Sequence, residues 1–581
     1  MDGVCSNEQP SYLPCATVMD DHSTSSSIGL SRFIAHYHRF ALLCGGALLG
    51  LAWSRIISVA SREHFMRSVL LLGALSVLFV VYQRRQNSRH ERWPLAWVAL
   101  CLYFGALTVW NEIYFEHIAH TGFATDVFRA SLRTFQAPVY GVAKSITVAG
   151  LATATAFTAL FCVVLRWALA HAEQTRRLAL AFMLLQLLAI VGLTLCNGHG
   201  QWPDSHLIHG GFDAELAAFS TPSAMWSEWN THMAQFQTRA SHYPPGPMFV
   251  ALLEHRYHLP GLWMACSVLA ILLCIPLLLD LCANLGLAPV IGISAVSWQL
   301  ASAAFMSFTP IANAAPTAFL TLALLAALGR ALRGQWYFAL LGGLVLGCHG
   351  LYSFTAVFAT LLALVWLLAA ALTGVVDRAR ALQCIALLLL GSTGLWLLVY
   401  GVTDFNLAAC FDIALSNNRD AMSHELFEVP SRYLLRSSGN LLAYGAYLGP
   451  LAGLYALVGT WRAQFAGRAI SAFACAPVTT LLVAGFSGSF FLETERVWMF
   501  FTPAVAIVAG FGLSGLRRDN TLASHHGLTL VASVLLGWTL ALGMHQQMPP
   551  AEQIDAAAWQ RARILLQPAS APKVPDPHRA E

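Results

Sequence analysis

The chain has 581 residues, of which 57% are hydrophobic and 11% charged, with a formal net charge of +4. Soluble domains carry about 25% charged residues, so a water-soluble globular protein is excluded. Lysine occurs only as Lys144 and Lys573, and no nucleic-acid partner is expected.

Residues 1–38 are polar and acidic, with no basic segment ahead of a short apolar core. They are expected to form a disordered cytoplasmic tail and not a cleavable signal peptide. From residue 39 onward the chain repeats apolar runs of about 17–25 residues, the length that crosses a hydrocarbon core about 30 Å thick. The pattern predicts an all-α, polytopic transmembrane helical bundle of about 15 spans, with a range of about 13–15. In chain order the predicted spans are 40–58, 67–82, 94–112, 140–165, 178–196, 260–282, 287–307, 314–331, 336–352, 354–375, 381–400, 441–460, 471–490, 497–514 and 527–545. The expected organisation has an N-terminal membrane module at 39–175 and a catalytic membrane region at 176–515. A last span and an extracytoplasmic tail follow at 516–581. Within that tail AEQIDAAAWQRARILL is amphipathic and suited to a membrane surface.

Arginine sets the orientation. The short connections RRQNSRHER (84–92), RWALAHAEQTRR (166–177), RALR (330–333), DRAR (377–380), WRAQFAGR (461–468) and RRDN (517–520) all fall on one side. By the positive-inside rule that side is cytoplasmic, and the N-terminus lies with it. Four unusual segments then share the extracytoplasmic face: the connection at 113–139, the loops at 197–259 and 401–440, and the turn at 491–496. Loops this long inside a compact protein are functional or disordered, and their aromatic content argues for the first. They are expected to carry short helices.

Within the loop at 197–259, the stretch 197–247 holds Asp204, Asp213 and five histidines, His199, His206, His209, His232 and His242, interleaved with Trp202, Trp226, Trp229 and Tyr243. Pro244, Pro245 and Gly246 force an extended turn and then a helix start. The helix that follows, PMFVALLEHRYH, is too short to span. Asp204, His206 and His209 are close enough to suggest a divalent metal, although zinc needs three or four convergent ligands and the spacing selects no set. No cofactor is expected. The thirteen cysteines lack metal-ligand spacing; Cys196 and Cys410 share the outer face and form a candidate disulfide.

The loop at 401–440 carries Asp412, the run Asn417–Asp420, His424, and Arg432 and Arg436. Two arginines four apart share one helix face and suit a phosphate, whose oxygens accept paired hydrogen bonds. Glu493, Glu495 and Arg496 open the very apolar span that begins at Trp498. Ionisable groups that close to the bilayer are costly and mark functional sites. No P-loop, dinucleotide fingerprint, nucleophile elbow or metalloprotease motif occurs in a convincing context, so an ATP-driven mechanism has no support.

The order of these elements resembles the integral-membrane glycosyltransferases of the GT-C superfamily. The nearest branch is the family-39-type polyprenyl-phosphate-dependent mannosyl- and aminoarabinose transferases. An aromatic, acidic loop ending in HYPPGP is followed by the arginine-bearing RYLLR and then by Glu493, Arg496 and Trp498 at the head of a span. The resemblance covers residues 178–515. It implies a GT-C-like fold in an inner or plasma membrane. The activity it implies is inverting transfer of a sugar from a polyprenyl-phosphate-linked donor to a glycan, lipid or protein acceptor. On this reading Asp213 or Asp204 is the catalytic base, Asp213 being preferred because GFDAE is closer to the family's acidic segment. Arg432, Arg436, Arg496 and His242 bind the donor phosphate, and Tyr243, Pro244, Pro245, Gly246, Glu493 and Trp498 position the reactants. The first four spans have no counterpart in the family, and its usual acidic pair soon after the first span is missing. A multi-span transporter or lipid flippase is the main alternative; a lipid-headgroup phosphotransferase and a non-catalytic scaffold are the others.

Overall fold

A computed structural model describes residues 142–143, 148–197, 213–236, 239–309, 314–422, 430–487, 497–514 and 522–545. All of them belong to one compact unit, residues 43–581. The predicted spans at 40–58, 67–82 and 94–112 and the connection at 113–139 lie outside the described residues.

The described chain is helical apart from one two-residue antiparallel pairing, Val142–Ala143 with Met544–His545. The helices that concern the site are numbered here in chain order. They are α1 (Val148–Ala170), α2 (Thr175–Asn197), α3 (Asp213–Leu216), α4 (Pro222–Met233), α5 (Gly246–Arg256), α6 (Leu262–Asn284), α7 (Pro289–Ala301), α8 (Ala303–Ser307) and α9 (Ala314–Leu332). There follow α10 (Tyr337–Tyr352), α11 (Ala356–Leu372), α12 (Arg378–Thr403), α13 (Leu407–Met422), α14 (Pro430–Leu448), α15 (Pro450–Ala466), α16 (Arg468–Phe486), α17 (Thr502–Ser514) and α18 (Leu522–Gly543). Among the described residues six helices are long and apolar enough to cross a membrane: α1, α2, α6, α9, α12 and α16. They coincide with the predicted spans at 140–165, 178–196, 260–282, 314–331, 381–400 and 471–490.

Two predicted spans are interrupted. The helix expected over 287–307 breaks at Ser302, whose extended backbone (φ −70°, ψ 117°) separates α7 from α8. The helix expected over 441–460 turns by 104° between α14 and α15. The reason is local: Gly449 stands at φ 106°, a backbone that favours glycine, and Pro450 starts the next helix, where its missing N–H costs nothing. The two breaks touch, with Ser302 Oγ donating to the Tyr447 carbonyl at 2.8 Å.

Small residues bring the helices close, as they do where lipid supplies no hydrophobic drive for association. A Cβ on Gly391 would stand 2.5 Å from the Leu340 carbonyl oxygen, and one on Gly343 would collide with Leu388, so α10 and α12 meet backbone to backbone. Gly459 and Gly512 do the same for α15 and α17.

The two ends of the bundle differ. At one end arginines tie the short connections together. Arg330 makes a paired hydrogen bond to Asp280 at 3.0 and 3.1 Å. Arg333 donates to the Asn284 carbonyl at 2.8 Å. Arg462 donates to the carbonyls of Phe511 and Gly512 at 3.3 and 3.2 Å. The other end of α6, α10 and α12 carries a separate structure built from the two long loops.

Candidate functional site

That structure is a helical cap. Its core is Phe219, Met225, Trp229, Met233, Phe236, Ala240, Met248, Ala251, Leu252 and Trp263 from the first loop and the start of α6. Phe405, Cys410 and Ala414 join it from the second loop. The local sequence accounts for the helices that present these groups. Thr221 caps α4, its hydroxyl accepting from the Ala224 amide at 3.1 Å, and Met225, Trp229 and Met233 then recur every fourth residue on the buried face. Past α12 the chain turns at Asp404, in the left-handed region at φ 59°. Asn406 then caps α13 by accepting from the amides of Ala408 and Ala409.

Hydrogen bonds stitch the two loops together across about 176 residues of sequence. Asn230 Nδ2 donates to the Asn406 carbonyl at 2.9 Å, and Asn417 Nδ2 donates to the Ser241 carbonyl at 3.0 Å. The cap is also seated on the bundle. The Glu254 carboxylate accepts from the amides of Gly261 and Trp263 at 2.9 and 3.0 Å, closing the start of α6. A Cβ on Gly246 would stand 2.5 Å from the Leu351 carbonyl oxygen and 2.9 Å from the Tyr352 Cα. The YPPG turn therefore rests directly on the end of α10, and only glycine fits there.

The residues predicted to act are distributed as follows. His242 closes a 3-10 turn at Arg239–His242. Its ring is part-buried, its Nδ1 has no hydrogen-bond partner among the described residues, and burial holds its pKa below the ordinary histidine value. Tyr243 packs on the cap core, and Pro244 and Pro245 are buried behind it. Asp213 begins α3. Arg432 and Arg436 stand on α14 at the same four-residue spacing that continues to Asn440 and Tyr444. Tyr444 meets the fully buried Trp498 with ring centroids 5.7 Å apart, and its hydroxyl lies 3.4 Å from Thr502 Oγ1. Asp204, Glu493 and Arg496 lie outside the described residues, as do the candidate metal ligands His206 and His209. Among the described residues no three His, Cys, Asp or Glu side chains converge as a metal site would require.

The candidate Cys196–Cys410 disulfide is absent: both are free thiols. Cys410 is instead fully buried in the cap core, its Sγ 3.3 Å from Met233 Sδ, and burial pushes its thiol up to about 12.

One functional candidate escaped the sequence reading. His349, near the end of α10, is fully buried beside the turn's resting place. Its Nε2 lies 3.0 Å from Thr355 Oγ1, and its ring faces Phe500 edge-on at 6.4 Å. The available signal was an ionisable group late in an apolar run, followed by Ser353 and Thr355.

No family model matches the chain, and no curated protein matches it either.

Proposed function

We propose that the protein is a membrane glycosyltransferase of GT-C-like architecture. It moves a sugar from a polyprenyl-phosphate-linked donor to an acceptor glycan, lipid or protein, with inversion at the anomeric carbon. It crosses the inner or plasma membrane about fifteen times, with the first three crossings between residues 40 and 112. The arginine-tied end is cytoplasmic and the cap is extracytoplasmic. The observation that carries this reading is the cap itself: two segments far apart in sequence build one aromatic structure, seated through the YPPG turn on the end opposite the arginines.

The chemistry needs few groups. A sugar phosphate already has a good leaving group, so no strong acid is required. A carboxylate, Asp213 or Asp204, takes the proton from the acceptor hydroxyl. The acceptor oxygen attacks the anomeric carbon. The carbon–oxygen bond to phosphate breaks, and its electron pair leaves on the polyprenyl phosphate. Arg432, Arg436 and Arg496, with His242, stabilise that charge. Tyr243, Pro244, Pro245, Gly246, Glu493 and Trp498 hold the elements in place. No cofactor takes part in this scheme; a divalent metal at Asp204, His206 and His209 would assist the phosphate.

The test is transfer from radiolabelled polyprenyl-phosphate sugar in membranes containing the full chain. Transfer is expected to disappear in Asp213→Asn and in Arg496→Ala at unchanged expression. Normal transfer in both Asp213→Asn and Asp204→Asn would overturn the carboxylate assignment. One observation favours a second reading, a transporter or flippase: interrupted helices that meet inside the bundle, as α7/α8 and α14/α15 do, are how transporters build substrate sites. Counterflow of a soluble substrate in proteoliposomes without covalent product would support that reading instead.

A further inference from the structure

We propose that His349 is a ligand-binding residue, and that the lone pair on its Nδ1 accepts a hydrogen bond from a hydroxyl of the donor sugar. The sugar's identity rests on the transfer reading above; the role of the imidazole rests on its own geometry. Thr355 Oγ1 donates to Ser353 Oγ at 3.0 Å, and the Thr355 amide donates to the same oxygen at 3.3 Å. With its hydrogen committed there, Thr355 Oγ1 receives the third bond as an acceptor. His349 Nε2 therefore donates to it, at 3.0 Å. The neutral imidazole then carries its proton on Nε2, and Nδ1 is a bare acceptor, a tautomer fixed by its partners. Nδ1 is fully buried with no donor among the described residues. An acceptor left so is unfavourable, and it is an acceptor only. Its complement is an O–H or N–H group; phosphate oxygens, which also bring lone pairs, do not suit it.

Placement gives the acceptor its ligand. Two and three residues beyond His349, Leu351 and Tyr352 support the turn at Gly246. On its other side Phe500 belongs to the Trp498–Phe501 turn, which follows directly on Glu493 and Arg496 in the chain. Ser353–Thr355 is the non-helical connection between α10 and α11. The imidazole thus lies at a helix end, next in sequence to the seat of the cap turn and against the Trp498–Phe501 turn. A rotamer change at Phe500 is the movement this binding asks for.

The test uses the full chain in phosphatidylcholine nanodiscs and the affinity of a radiolabelled short-chain polyprenyl-phosphate mannose. His349→Gln keeps a donor where Nε2 stood and loses the Nδ1 acceptor. His349→Asn keeps a polar atom where Nδ1 stood and loses the tie to Thr355. Donor affinity is expected to fall about tenfold in His349→Gln, the scale of one lost hydrogen bond, and to stay within about threefold of wild type in His349→Asn. The reverse order, or no loss in either, makes the residue a structural tie and overturns the proposal. Should both variants lose affinity, Thr355→Val decides: it removes the tie and leaves the imidazole, so retained affinity supports the proposal and lost affinity overturns it. A wild-type protein that binds no donor removes the transfer reading and this inference together. Wild-type binding with an indifferent His349 removes the inference alone.

Discussion

The arginine-tied end and the capped end of the same bundle solve different problems. At the first, connections are short and their charges are absorbed by the fold: Arg330 by Asp280, Arg333 and Arg462 by backbone carbonyls. At the second, two long segments and the start of α6 build a further core of Trp229, Trp263, Phe219 and Phe405, against which Leu351 of α10 and Val399 of α12 pack. Polar residues at the first end tie helix ends to one another, whereas those at the second are carried on helices that pack around a core of their own. Changes at the two ends should therefore fail in different ways.

The largest contrast is expected from Trp229→Ala. Emptying a fully buried indole site costs about 3–5 kcal/mol. Hydrogen exchange should rise across 213–256 and 407–422 while the arginine-tied turns keep their protection. Equal loss at both ends would make the cap part of one cooperative core. Gly246→Ala comes next, at about 1–3 kcal/mol or more, because the neighbours it meets are backbone atoms of α10. Thermal unfolding should show a lowered midpoint, with faster proteolysis near residues 234–239.

At the other end, a double-mutant cycle on Asp280 and Arg330 should return only about 0.2–1 kcal/mol, since the two side chains are 32% and 41% exposed. A coupling several times larger would mean that this end depends on a dry electrostatic contact.

The smallest effect is a slope. Burial holds His242 below its ordinary value, so the folded imidazole resists a proton that the unfolded one accepts. Its contribution is complete above the unfolded value of about 6.5 and is lost as the pH falls below it. His242→Gln should flatten that part of the stability profile. A slope unchanged by the substitution would locate the titration elsewhere.

The membrane character and most helix positions were legible because apolar length is a one-dimensional signal. Six helices fall where runs such as 260–282 and 381–400 placed them. The interruptions at Ser302 and Gly449 were not foreseen, although Gly449 beside Pro450 is a recognisable break; mean hydropathy runs straight across both. The cap was legible only as two aromatic loops on one side. That Asn417 reaches Ser241 and Asn230 reaches Asn406 is long-range pairing that periodicity does not carry. The candidate disulfide failed for the same reason, since Cys410 faces Met233 in a core whose existence the spacing of cysteines did not reveal.

On the proposed topology Asp213, Arg432, Arg436 and Arg496 share the capped face, across the membrane from the arginine-tied turns. Single cysteines at 213, 432 and 496, and at 333 and 468 as controls, can be probed with a membrane-impermeant maleimide in intact cells after replacement of the exposed native thiols. Labelling of the first three without permeabilisation, and of the controls only after it, is the predicted result. Labelling that divides 213, 432 and 496 between the two sides would contradict it.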